Sequence, residues 1–163
     1  MAASRTYSIL ENRPFNTSGT YTLTLTANIL SFDKTAADDT TVVVFPIPKL
    51  PRTATQDDPA VSVIECSYSV ATAALDAAPT AVLNLCSKSA TTKVTSRAAT
   101  TQAITFAGTN TVGTAAGTYD AIVTITTPAR LTDLQYYELE LTFNAAATTV
   151  LKLFGISITH TGA

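Results

Sequence analysis

Hydrophobic and polar positions alternate most cleanly in two stretches, 136–144 (YYELELTFN) and 149–159 (TVLKLFGISIT). In the first, Tyr137, Leu139, Leu141 and Phe143 alternate with Tyr136, Glu138, Glu140 and Thr142. A period of two sends one row inward and the other outward, as in a strand with one buried face. In the second, Val150, Leu151, Leu153 and Phe154 are apolar at both parities, which suits a strand covered on both sides. Gly155 interrupts that run. An isolated glycine in a strand pattern marks a bulge. A bulge there returns Ile156 and Ile158 to the face of Leu151 and Leu153. Both stretches are expected as inner strands of a β-sandwich.

The other strands are read the same way. TYTLTLTANI at 20–29 places Tyr21, Leu23, Leu25, Ala27 and Ile29 on one face and Thr22, Thr24 and Thr26 on the other. A loop is expected over 31–39 and a partner strand over 40–45, closing a first hairpin. Pro46, Pro48 and Pro51 then lack donors and hold an extended path, so 46–59 reads as a Pro-rich connector. Further strands are expected at 61–70, 80–87, 92–97, 102–106 and 119–127, with a long loop at 107–117. Residues 71–78 read as one or two helical turns, and 129–135 as a single helical turn bridging the sheets. Residues 1–19 show no steady period and read as an irregular N-terminal arm. Eight or nine short strands without a long amphipathic helix predict an all-β fold. The expected form is an antiparallel β-sandwich or jelly roll of about eight strands, one domain over 20–163.

Composition sharpens this picture. The 163 residues suffice for one domain with a core of its own. Thirty-two are Thr and twenty-six Ala, so the strands carry hydroxyls and small side chains where charges are common elsewhere. Only 13% of residues are charged, about half the usual share. The ten Lys and Arg are scattered, which disfavours a nucleic-acid partner. No apolar run approaches the ~18 residues of a membrane-spanning helix. MAASRTYSIL lacks the apolar core of a secretory signal, so folding in a cytoplasm is expected. Asn16-Thr17-Ser18 is then a sequon without a use. Cys66 and Cys86 both lie in strand patterns; buried free thiols are expected, with a disulfide across the sandwich as the alternative.

Candidate chemistry is sparse. His160 is the single histidine, and no serine lies in a Gly-x-Ser-x-Gly elbow, so no triad is expected. Glu138 and Glu140 share one face of a strand, as glycosidase carboxylates can, but their row with Tyr136 and Thr142 reads as a solvated outer face. Glu65 is expected to pair with Lys93 or Arg97. Asp33, Asp38, Asp39, Asp57 and Asp58 lie on two loops. They lack the spacing of a known calcium loop and read as turn caps. No catalytic, cofactor or metal site is assigned, and no enzyme is expected. The residues by themselves best fit carbohydrate binding, with Tyr119 and the Tyr136-Tyr137 pair as candidate aromatic platforms.

The ending YYELELTFNAAATTVLKLFGISITHTGA resembles the ending of bacteriophage and viral structural jelly rolls. There an aliphatic strand, a short Ala/Thr turn and an aliphatic-Gly-aliphatic strand pack at a three-fold axis. The charge-poor, Thr/Ala-rich style is similar to that of virion decoration (cement) and spike proteins. The resemblance implies a structural virion protein, a capsid decoration protein assembled in a host cytoplasm. It implies a homotrimer bound to a major capsid protein or another virion protein. The alternative is a carbohydrate- or receptor-binding spike or fibre module.

Overall fold

The computed structural model describes every residue except 1, 19–20, 35–38, 50–59, 72–74, 76, 109–115, 129, 146–148 and 162–163. Twelve strands follow one another: β1 (Ala2–Ser8), β2 (Phe15–Ser18), β3 (Thr22–Thr26), β4 (Ile29–Lys34), β5 (Asp39–Ile47), β6 (Ala60–Ala71), β7 (Thr80–Lys88), β8 (Thr95–Ala99), β9 (Ala103–Gly108), β10 (Gly117–Thr124), β11 (Gln135–Ala145) and β12 (Val150–Thr161). All pair antiparallel and form two sheets. One runs β3-β4-β12-β6-β10-β9, with β1 also on β12; the other runs β2-β5-β11-β7-β8. The fold is an antiparallel β-sandwich, and no helix occurs among the described residues.

The two patterned stretches lie inside their sheets. β11 sits between β5 and β7, and Tyr137, Leu139, Leu141 and Phe143 all point into the core. β12 sits between β6 on one side and β4 and β1 on the other. Its ladder with β6 slips between Leu153 and Gly155, which leaves Phe154 as the extra residue of a bulge. Leu151, Leu153, Ile156 and Ile158 consequently share the buried face. Between the sheets, Tyr68 of β6 stacks on Tyr119 at 5.5 Å and meets Phe143 of β11 edge-on at 5.1 Å. Each buried aromatic or aliphatic side chain adds roughly 1.5–3 kcal/mol.

Several expected boundaries change. The arm at 1–19 is not irregular: β1 pairs with β12 from Ala2↔Thr161 to Ser8↔Gly155, and β2 pairs with β5. The strand expected at 20–29 is cut by a two-residue turn, Ala27 (φ 49°) and Asn28 (φ 65°), both left-handed as a type I′ hairpin requires. The first hairpin is therefore β3–β4, and β4 occupies much of the expected loop at 31–39. β5 belongs to the opposite sheet and runs through Pro46 to Ile47, two residues into the expected connector. The connector from 50 to 59 lies outside the described residues. The extra strands raise the count from about eight to twelve among the described residues. Leu153 and Ile156 are core residues, so the aliphatic row of β12 packs inside the sandwich.

Candidate functional site

A groove of about 380 Å³ opens on the outer face of the seven-stranded sheet, where β4 leaves β12 and β1 takes its place. The bulge creates it. Gly155 has φ +143°, and the carbonyl of Tyr7 lies over its α-carbon, so β1 approaches where no side chain is present. Phe154 stands half-buried on the outer side and lines one wall. Thr6, Ser8, Ser67 and Ser157 bring hydroxyl groups, and Glu11 brings a carboxylate.

Each of these groups is held locally. After β1 the chain makes one tight turn in which the Ser8 N–H donates to Glu11 Oε2 at 3.0 Å and the Glu11 N–H donates to Ser8 Oγ at 3.4 Å. This is the reciprocal pairing of a capping box, used here to fix a carboxylate at the rim. The Glu11 and Asn12 N–H groups also donate to the Ser8 carbonyl at 3.1 and 2.9 Å. Ser67 Oγ donates to Asp120 Oδ1 at 2.7 Å. The Ser157 hydroxyl lies 3.4 Å from that of Ser4 and 3.3 Å from that of Thr6. Register sets Ser157 beside Glu65, which stands next to Ile122. Glu65 is thus in the opposite sheet from β8, and its expected pairing with Lys93 or Arg97 does not form.

Arg97 bridges the outer face of the five-stranded sheet instead. Its Nε donates to Glu138 Oε2 at 2.9 Å and its Nη2 to Glu140 Oε2 at 2.5 Å. Arg97 stands on β8 and both glutamates on β11, so the side chain crosses β7 over Asn84 and Cys86, which are buried. Tyr136 lies beside Cys86. Burial, then Cys86 and Glu138, push its hydroxyl up to about 12. Cys86 is raised by burial and by Glu138. The two carboxylates are tied to one guanidinium, which is the arrangement of a surface clamp and not of an acid–base pair.

The remaining candidates separate. Tyr119 and Tyr137 are core side chains, so of the three tyrosines only Tyr136 reaches an outer face. Asp33 is buried and accepts from Lys152 Nζ at 2.8 Å. Asp38, Asp57 and Asp58 lie outside the described residues, as does the Asp39 side chain. Among the described residues no three His, Cys, Asp or Glu side chains gather to hold a metal. His160 is buried, with neither ring nitrogen bonded among the described residues, and burial lowers its pKa. Cys66 points into the core and Cys86 onto the outer face, so the disulfide alternative fails geometrically. Sequence reasoning missed Phe154 and Glu11 as site residues. Ser8-x-x-Glu11 was readable as a capping box, but only the register Ser8↔Gly155 brings it to Phe154.

No family model matches the sequence, and no curated protein matches it. Solved structures that are similar, at low TM-scores, include the following two. One is the family 11 carbohydrate-binding module of the cellulosomal cellulase Lic26A-Cel5E of Clostridium thermocellum, with 8% identity, 99% of this chain and 95% of that chain covered, and a TM-score of 0.36. The other is a family 11 carbohydrate-binding module from Clostridium thermocellum in complex with a β-1,3-1,4-mixed-linked tetrasaccharide, with 9% identity, 95% and 87% covered, and a TM-score of 0.27. Likeness this slight decides neither ligand nor ancestry, so the groove has to be read from its own residues.

Proposed function

We propose that the protein is a non-catalytic saccharide-binding module whose ligand lies in the Phe154 groove. The observation that carries this is the lining: the outward ring of Phe154, the hydroxyls of Thr6, Ser8, Ser67 and Ser157 and the fixed carboxylate of Glu11 around about 380 Å³. A pyranose has an apolar face of C–H groups and an equatorial belt of hydroxyls. Phe154 offers a surface for the first, while Glu11 and the serine and threonine hydroxyls accept from and donate to the second. The volume lies toward the small end of ligand sites, roughly 300–1,000 Å³, which suits one or two sugar rings at a time. Calorimetric titration with a panel of neutral oligosaccharides tests it. Binding that falls at least ~10-fold in Phe154→Ala and is unchanged in Tyr136→Ala is expected, a loss of about 1.4 kcal/mol. Silence across the panel, or loss through Tyr136 in place of Phe154, overturns the assignment.

A second reading is the decoration protein of a virion, bound to its shell. It is favoured by Leu10 and Phe15, large apolar side chains left 69% and 47% exposed in the N-terminal segment. Mass spectrometry of purified particles from the source culture would find the chain in fixed ratio to the shell protein. Its absence from particles removes this reading.

A further inference from the structure

β3 is an outer strand of the seven-stranded sheet, and among the described residues nothing pairs with its far side. Soluble proteins blunt such edges with Lys, Pro, charges or bulges. Here no residue from Pro14 to Phe32 is charged, and β3 contains no proline, glycine or bulge. The β3–β4 ribbon also stands apart, because only Phe32, Asp33 and Lys34 of β4 pair with β12. Leu23, Leu25 and Ile29 are 40%, 68% and 56% exposed on it.

The hydrogen-bond phase of the ribbon follows from its turn. Thr26↔Ile29 flank the two-residue turn and form a hydrogen-bonded pair, so Thr24↔Ser31 and Thr22↔Asp33 do as well. The N–H and C=O groups of Leu23 and Leu25 therefore point outward, away from β4. The sequence of β3, Thr-Leu-Thr-Leu-Thr, reads the same in both directions about Thr24.

We propose that two copies of the chain join through β3, antiparallel, about a two-fold axis at Thr24, to make one continuous sheet. Leu23 of each copy then faces Leu25 of the other in a hydrogen-bonded pair, which uses every outward amide and carbonyl of those leucines. Thr22 faces Thr26, and Thr24 faces Thr24. Four leucines gather on one side of the joint and six threonines on the other, both favourable cross-strand sets. The same patch serves both subunits, so the assembly closes at two copies and does not propagate as a fibre. A charged heterologous edge would find no counter-charge on this strand, whereas a second copy matches it residue for residue.

Cysteine pairs test the register directly. Thr24→Cys sits against its own image in a non-hydrogen-bonded pair, about 4.5 Å between α-carbons, within disulfide reach. Thr26→Cys lies four positions from its image, roughly 14 Å away at 3.4 Å per residue, beyond it. Mild oxidation is expected to convert Thr24→Cys to a covalent dimer and to leave Thr26→Cys largely unlinked. The native Cys66 and Cys86 are buried and do not compete. Sedimentation of the unmodified protein at micromolar concentration should give twice 17.0 kDa, and Leu25→Lys should give the single mass with an unchanged circular dichroism spectrum. A monomeric or trimeric mass for the unmodified protein, or equal cross-linking of the two cysteine variants, overturns the proposal.

Discussion

A Cβ placed on Gly155 would stand 2.4 Å from the carbonyl oxygen of Tyr7, with the backbone of Ser8 next beyond it. One glycine thus lets β1 dock on β12, turns Phe154 outward and returns Ile156 and Ile158 to the core. Gly155→Ala is expected to destabilise the protein. The positive φ alone costs about 1–3 kcal/mol, and the contact with main-chain atoms cannot be relieved by a side-chain rotation. Urea denaturation should show a lower midpoint at similar slope, and saccharide binding should weaken with it. An unchanged midpoint would mean that β1 does not rest on this residue.

Lys34 follows Phe32 by two positions and faces the same way, opposite Leu151. It is fully buried, and its Nζ has no partner among the described residues. Removing a buried polar group that makes no hydrogen bond relieves a desolvation penalty of about 1–3 kcal/mol. Lys34→Met keeps the length of the side chain. A higher midpoint in thermal or urea unfolding is expected; a lower one would show that the amine is satisfied.

His160 is 2% exposed near the end of β12, and burial lowers its pKa below the ordinary 6.5. Below pH 6.5 the unfolded chain takes up a proton that the folded chain refuses. The contribution of this site is therefore complete above 6.5 and is lost as pH falls through the lower folded value. Stability measured from pH 7 to 5 should decline, and His160→Leu should flatten that part of the curve. A decline of the same slope in the variant would assign the effect to carboxylates.

Cys66 is fully enclosed, and burial pushes its thiol well up, with Asp120 adding to the shift. Cys86 is raised as well. A thiol held protonated and out of reach is a poor nucleophile. A thiol reagent should leave both untouched at neutral pH in the native protein and titrate two groups in denaturant. Rapid labelling before unfolding would place one of them at the surface.

The inner strands were legible because tertiary structure agrees with local pattern there. Tyr137 to Phe143 alternate, and the bulge at Gly155 announced itself as a break in an aliphatic run. β1 was not legible because, among its described side chains, Tyr7 alone is buried, which makes no apolar row; pairing with β12 decides its conformation. The turn at Ala27–Asn28 was hidden for the opposite reason. No glycine marks it, and alternation runs straight through, so one strand was read where two exist. Of the groove, the residue types were visible singly. Phe154 looked like core, since nothing local says on which side of a bulge a side chain emerges. The glutamates at 138 and 140 were read correctly as an outer row, but their partner Arg97 required knowing which sheet holds β8.

β12 takes part in three pairings, with β1, β4 and β6, and each partner lies far earlier in the chain. During synthesis β1, and the β12-facing edges of β4 and β6, therefore wait until the residues after Val150 emerge. The β3–β4 hairpin and the β6-β10-β9 set can pair earlier, but β12 joins them and β1 into one sheet in a late event, across separations of up to 153 residues between bonded hydroxyls. Such non-local closure is slow, in the millisecond-to-second range typical of sandwiches. In that interval the uncharged β3 edge is exposed on an incomplete molecule, so the time taken to complete β12 sets how long the chain must be shielded from its neighbours.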